Sequence, residues 1–155
     1  MITRQDIENA QKLWGAWVVK IGSLKNSRIE CETFCKDFLD QLYAFELGNV
    51  LFKPTKCALE QFRPTKEEAL SYFISGDDRK CHEDKGFAIQ PWTKVRFENS
   101  GGLILDDNRA IAMGNYFFTD TDGNEAKVEY TFGYKLIDGE LKIDLHHSSF
   151  PFPNP

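Results

Sequence analysis

The chain has 155 residues, of which 41% are hydrophobic, 14% aromatic and 28% charged, with a formal net charge of −5. That length suits one domain over residues 1–155, able to bury about 70% of its unfolded surface. An acidic balance with no basic block excludes an electrostatic nucleic-acid role, and no apolar run approaches the roughly 20 residues of a spanning helix, so no membrane insertion is expected.

Met1-Ile2-Thr3-Arg4-Gln5-Asp6 shows no charged segment running into an apolar one, so no secretory signal is visible and a cytoplasmic location is expected. Cys31, Cys35, Cys57 and Cys81 form no CxxC pair and no disulfide framework, which points to reduced thiols.

Residues 6–21 carry Ile7, Ala10, Leu13, Trp14, Trp17, Val18 and Ile21 at helical spacing. Thr3 can cap this helix and Gly22 can end it. A second helix is expected over residues 27–45, with Phe34, Phe38, Leu42 and Phe45 on one face. Val50-Leu51-Phe52 reads as a short strand limited by Pro54, and Thr55 follows it. Thr65-Lys66-Glu67-Glu68 is a capping-box sequence opening a third helix, whose inward face is Ala69, Tyr72 and Phe73 and whose end lies near Ser75-Gly76. Residues 77–86 form a charged loop.

From Trp92 the period becomes two. Strands are expected around Val95 and Phe97, over 103–105, 110–119 and 128–136, and from Leu141 onward. Asp122-Gly123 and Asp138-Gly139 are turn signals between them. Helices first and an antiparallel sheet after predict an α+β fold with the helices packed on one face of the sheet.

The last strand ends in His146-His147-Ser148-Ser149. Histidine is the side chain whose unperturbed pKa lies nearest neutrality, so a His-x-Ser pair there is a candidate proton-handling site. Simple alternation puts Leu141, Ile143, Leu145, His147 and Ser149 on the helix-facing side and Asp144, His146 and Ser148 on the other. A bulge at the histidines inverts this assignment, which makes His146 and Ser148 the second choice. Neighbouring histidines on a regular strand point apart and cannot share one ion. No HExxH, HxH or CxxC spacing occurs, and His82 beside Cys81 is remote in sequence, so no metal is expected and zinc and manganese are disfavoured. There is no GxSxG, P-loop or GxGxxG. Tyr72, Thr55 and Tyr116 are polar groups on otherwise apolar faces, and with His147 and Ser149 they can line one pocket. No inward Asp or Glu stands out, which argues against a cyclase or isomerase with a carboxylate base.

Phe52-Lys53-Pro54-Thr55, Gln61-Phe62-Arg63-Pro64-Thr65, Tyr72-Phe73, Pro91-Trp92-Thr93-Lys94-Val95-Arg96-Phe97, Met113-Gly114-Asn115-Tyr116-Phe117-Phe118 and His146-His147-Ser148-Ser149 resemble the iota-class carbonic anhydrases. These are relatives of the calcium/calmodulin-dependent protein kinase II association domain with a nuclear-transport-factor-2-like cone of helices on a strongly curved sheet. The resemblance covers nearly the whole chain and is closest to the cyanobacterial and bacterial single-domain members. It implies reversible hydration of carbon dioxide to bicarbonate, with no cofactor in the metal-free type. It also implies that Thr, Tyr, His and Ser side chains hold bicarbonate. Carried over, these are Thr55, Tyr72, His147 and Ser149, while His146 and Ser148 fit the same spacing on the opposite face. A homodimer through the outer sheet face is expected, since Thr131 and Gly133 interrupt the charges there. The alternative reading is a non-catalytic association module.

Overall fold

The computed structural model describes residues 1–154. Two helices, α1 (Arg4–Ser23) and α2 (Arg28–Leu42), precede strand β1 (Leu51–Lys53) and helix α3 (Lys66–Ile74). A short 3₁₀ turn (Phe87–Ile89) leads into β2 (Lys94–Leu105), β3 (Arg109–Thr119), β4 (Glu125–Ile137) and β5 (Glu140–Ser149). The sheet order is β1-β5-β4-β3-β2, with β1 parallel to β5 and the other pairs antiparallel. The α+β order is the expected one.

The helix ends follow side-chain chemistry. Thr3 and Asp6 form a reciprocal capping box on α1. At α3 the Thr65 hydroxyl accepts the Glu68 amide, but the Glu68 carboxylate takes the Thr65 hydroxyl hydrogen instead of a backbone amide, so only half of the expected box forms. Gly22 does not end α1, which runs on to Ser23. A Cβ there would come within 2.6 Å of the Ala88 carbonyl, so Gly22 is a close-approach residue. The second helix stops at Leu42 and not near residue 45. Tyr43 is extended, bridges to Ile143, and the Ala44 amide donates to the Ile143 carbonyl at 2.9 Å. Edge pairing with β5 thus overrides helix continuation and turns the Tyr43 ring into the core.

The helices cover one sheet face. Trp14 of α1 reaches Phe97, Tyr116, Phe118, Phe132 and His146 on that face, with ring centroids 5.6–6.1 Å apart. The four cysteines are buried free thiols. Burial pushes that of Cys57 up to about 12, so it stays a protonated, inert group.

The alternation expected for β5 fails at one residue. Tyr134 pairs with Ile143 and Gly133 with Leu145, which leaves Asp144 as an extra residue. Beyond this bulge the parity flips. His146 and Ser148 are 2% and 1% exposed and face the helices, whereas His147 is exposed and Ser149 donates to Glu129 on the outer face. The expected inward placement of His147 and Ser149 is therefore corrected. The physical cause is crowding opposite the bulge. A Cβ on Gly133 would lie 2.7 Å from the Leu145 Cβ and 2.8 Å from the Arg109 guanidinium, which pairs with Asp144. Only glycine leaves room there.

Candidate active site

Five elements meet around His146. Its own strand supplies His146 and Ser148. The parallel strand β1 supplies Phe52 and, one turn later, Thr55. Helix α3 supplies Tyr72, β3 supplies Tyr116, and the end of α2 supplies Tyr43. The imidazole is held between two aromatic faces, Phe132 at 4.0 Å and Phe52 at 4.8 Å between centroids, nearly parallel to both.

Both ring nitrogens meet phenols. The Tyr43 hydroxyl lies 2.8 Å from Nδ1 and the Tyr116 hydroxyl 3.1 Å from Nε2. Tyr116 also lies 2.5 Å from Ser148 Oγ, and Ser148 Oγ lies 2.5 Å from Thr55 Oγ1. The Tyr72 oxygen accepts the Lys56 amide at 3.2 Å beside the Thr55 side chain. A continuous line of hydroxyls thus runs from the buried imidazole to Thr55 and Tyr72.

Burial sets the charge states. It pushes the His146 pKa well below the usual imidazole value, with the neighbouring His147 acting in the same direction, so the ring is neutral. Burial likewise pushes the Tyr72 and Tyr116 hydroxyls up, which keeps them protonated. Tyr72 also lines a cavity of about 290 Å³, together with Lys56, Glu83, Asp84, Lys85, Gly86, Phe87 and Gln90. A roomier groove of about 700 Å³ between α1, α2 and the β4–β5 hairpin contains none of these polar groups.

A buried ion pair fixes the loop that carries Thr55. Arg63 donates to both Asp84 oxygens at 2.8 and 2.7 Å, and neither side chain is exposed. Arg63 also donates to the Glu60 and Glu68 carbonyls, and Ser71 donates to Asp84 at 2.6 Å. The Glu83 carboxylate accepts the amides of Ala58, Leu59 and Glu60.

Of the residues singled out in the sequence, Thr55, Tyr72 and Tyr116 come together here, with the second-choice pair His146 and Ser148. His147 and Ser149 do not join them. Trp14 was legible only as part of the apolar stripe of the first helix, and Tyr43 was not singled out. The signal for the correct face was Gly133, since an isolated glycine inside a strand marks a bulge or a close approach.

The chain matches the family model of metal-independent carbonic anhydrases over residues 5–150. It belongs to this family. A metal-independent carbonic anhydrase of Nostoc sp. (strain PCC 7120 / SAG 25.82 / UTEX 2576) is 37% identical, over 97% of this chain and 75% of its own length. The crystal structure of the iota-carbonic anhydrase from a cyanobacterium, complexed with bicarbonate, is similar with a TM-score of 0.92 at 36% identity, over 99% of this chain and 94% of that one. A Xanthomonas campestris structure described for the calcium/calmodulin dependent protein kinase II association domain shares the fold alone, with a TM-score of 0.60 at 22% identity over 97% of this chain and 89% of that one. The fold is that of nuclear-transport-factor-2-like proteins. The family's description as metal-independent agrees with the ligand chemistry. Among the described residues, no group of three or more His, Cys, Asp and Glu side chains is arranged to hold a metal ion. Among the described residues, no helix is long and apolar enough to cross a membrane.

Proposed function

We propose that this carbonic anhydrase hydrates carbon dioxide at the Thr55–Ser148–Tyr116–Tyr72 hydroxyl cluster, backed by neutral His146. The observation that supports this reading is the hydrogen-bonded line from His146 through Tyr116 and Ser148 to Thr55, beside a cavity that Tyr72 and Phe87 help to line. The stacked Tyr72 and Phe87 rings suit an apolar gas, and the hydroxyls suit its anionic product.

Carbon dioxide needs a nucleophilic water and stabilisation of the charge growing on its oxygens. The water oxygen forms a bond to carbon, and one C=O π pair withdraws onto oxygen. The Thr55 hydroxyl, beside that of Tyr72, takes a proton from that water while giving its own to the oxygen gaining charge. The product of this exchange is carbonic acid, which ionises to bicarbonate and a solvent proton. Tyr72 donates to a second oxygen, and Ser148, buried behind Thr55, orients the Thr55 hydroxyl. One well-placed donor to such an oxygen is worth about 10²- to 10³-fold in rate, and positioned proton transfer about 10²- to 10⁴-fold.

Hydration measured by stopped flow is expected to survive exhaustive chelation unchanged. Activity that disappears with chelator and returns with zinc or manganese overturns the metal-free route. No activity, combined with a large stable ring in solution, favours an association module.

The oligomer belongs to the same reading. The outer face carries a groove of about 460 Å³ lined by Gly101, Met113, Thr131, His147 and Ser149 among others, and Met113 is 51% exposed on it. An apolar side chain on a sheet face is suited to a second copy. Light scattering is expected to give twice the 17.8 kDa chain mass, and a monomer at high concentration excludes the dimer.

A further inference from the structure

Tyr43 closes the buried end of the hydroxyl line. Its oxygen accepts the Trp14 Nε1–H at 3.1 Å and lies 2.8 Å from His146 Nδ1. An indole N–H can only donate, and a neutral imidazole carries one donor and one acceptor nitrogen. If Nδ1 held the proton, the Tyr43 oxygen would accept two N–H groups, and its own hydrogen would have no acceptor among the described residues. Tyr43 is only 2% exposed, so solvent does not supply one. Leaving such a buried donor unpaired disfavours that tautomer by roughly 5- to 150-fold.

We propose that Trp14 and Tyr43 are positioning residues that hold His146 as the Nε2–H tautomer and thereby set the direction of the whole hydroxyl line. Tyr43 donates to Nδ1. Nε2–H then donates to Tyr116, Tyr116 to Ser148, and Ser148 to Thr55. The Thr55 hydrogen is then left free. At the other end, the Lys56 amide fills the Tyr72 oxygen, so the Tyr72 hydrogen is also free to turn inward. Two donors converge where an anion is to be held. The opposite tautomer reverses every hydroxyl, and Thr55 then spends its hydrogen on Ser148. In this arrangement His146 is a fixed donor, not a base, and it acts on the reaction through Tyr116 and Ser148. The purpose assigned to this wiring rests on the hydration reading, but the tautomer itself does not.

The test is nitrogen-15 NMR of the histidine rings in the intact protein, with His146 assigned by comparison with His82→Asn and His147→Asn variants. In the wild-type protein Nδ1 is expected to resonate as an unprotonated nitrogen and Nε2 as a protonated one. Tyr43→Phe is expected to collapse the preference to within a few-fold, giving averaged shifts for both nitrogens, and to lower hydration in step. Trp14→Phe, which keeps the Tyr43 hydroxyl but frees its oxygen, is expected to relax the tautomer partway. That variant covers the case in which Tyr43→Phe does not fold. A wild-type Nδ1–H ring or an imidazolium overturns the inference, and so does a folded Tyr43→Phe variant with an undisturbed Nε2–H ring. An Nε2–H ring that Tyr43→Phe disturbs, in a protein without hydration activity, upholds the wiring and sinks the hydration reading alone.

Discussion

Ser148→Ala is expected to lower carbon dioxide hydration by about 10²- to 10³-fold, the range for losing one donor to a developing oxyanion, because Thr55 is then no longer aimed at it. Ser148 is the link between Tyr116 and Thr55, 2.5 Å from each. Its removal both deletes a hydroxyl at the site and cuts the line that orients Thr55. His146→Ala is expected to lose at least as much, because it also removes a ring packed between Phe52 and Phe132. The paired controls make the assignment sharp. His147→Ala and Ser149→Ala remove the same functional groups one residue along the chain, on the outer face, and are expected to leave the rate unchanged. Thermal melts accompany each variant, since Ser148→Ala leaves the buried Tyr116 hydroxyl short of a partner at a stability cost of about 1–3 kcal/mol. A folded Ser148→Ala enzyme of full activity, or a His147→Ala enzyme without activity, removes the Ser148 assignment.

The contrast between those two pairs marks where the sequence stops being legible. Periodicity identified the helices and the stretches that become strands, because each of those rests on local repeats that burial rewards directly. Thr55, Tyr72 and Tyr116 stood out as polar groups on apolar faces, and the structure gathers them. The face of His146 was not readable by alternation, because a single extra residue, Asp144, resets the parity of everything after it. The bulge is fixed by what lies opposite, Gly133 and Arg109, and so by tertiary pairing more than by β5 itself. Tyr43 was hidden for a related reason. The helical spacing of Phe34, Phe38, Leu42 and Phe45 suggested a helix continuing through it, yet pairing with Ile143 draws Tyr43 out of the helix and against His146.

Asp84→Ala is expected to cost about 3–5 kcal/mol of stability, because it strands a guanidinium that has no solvent contact. For a chain of this length that lowers the melting temperature by roughly 6–20 °C, out of a total stability of about 5–15 kcal/mol. The loss is not the worth of the ion pair itself. Two charges taken from water recover little net energy when paired, so Arg63→Met with Asp84→Leu is expected to return most of the lost stability. Function separates from stability at this point. Arg63 also ties down the Glu60 and Glu68 carbonyls, one in the loop after Thr55 and one in the first turn of α3 ahead of Tyr72. An apolar pair fills the volume without those two donors. The double variant is therefore expected to melt near the wild-type temperature while hydrating carbon dioxide more slowly, with Thr55 and Tyr72 less firmly held. Calorimetry and stopped flow on the same three proteins check both halves. An Asp84→Ala protein as stable as wild type contradicts the buried pair, and a double variant with full activity limits Arg63 to a folding role.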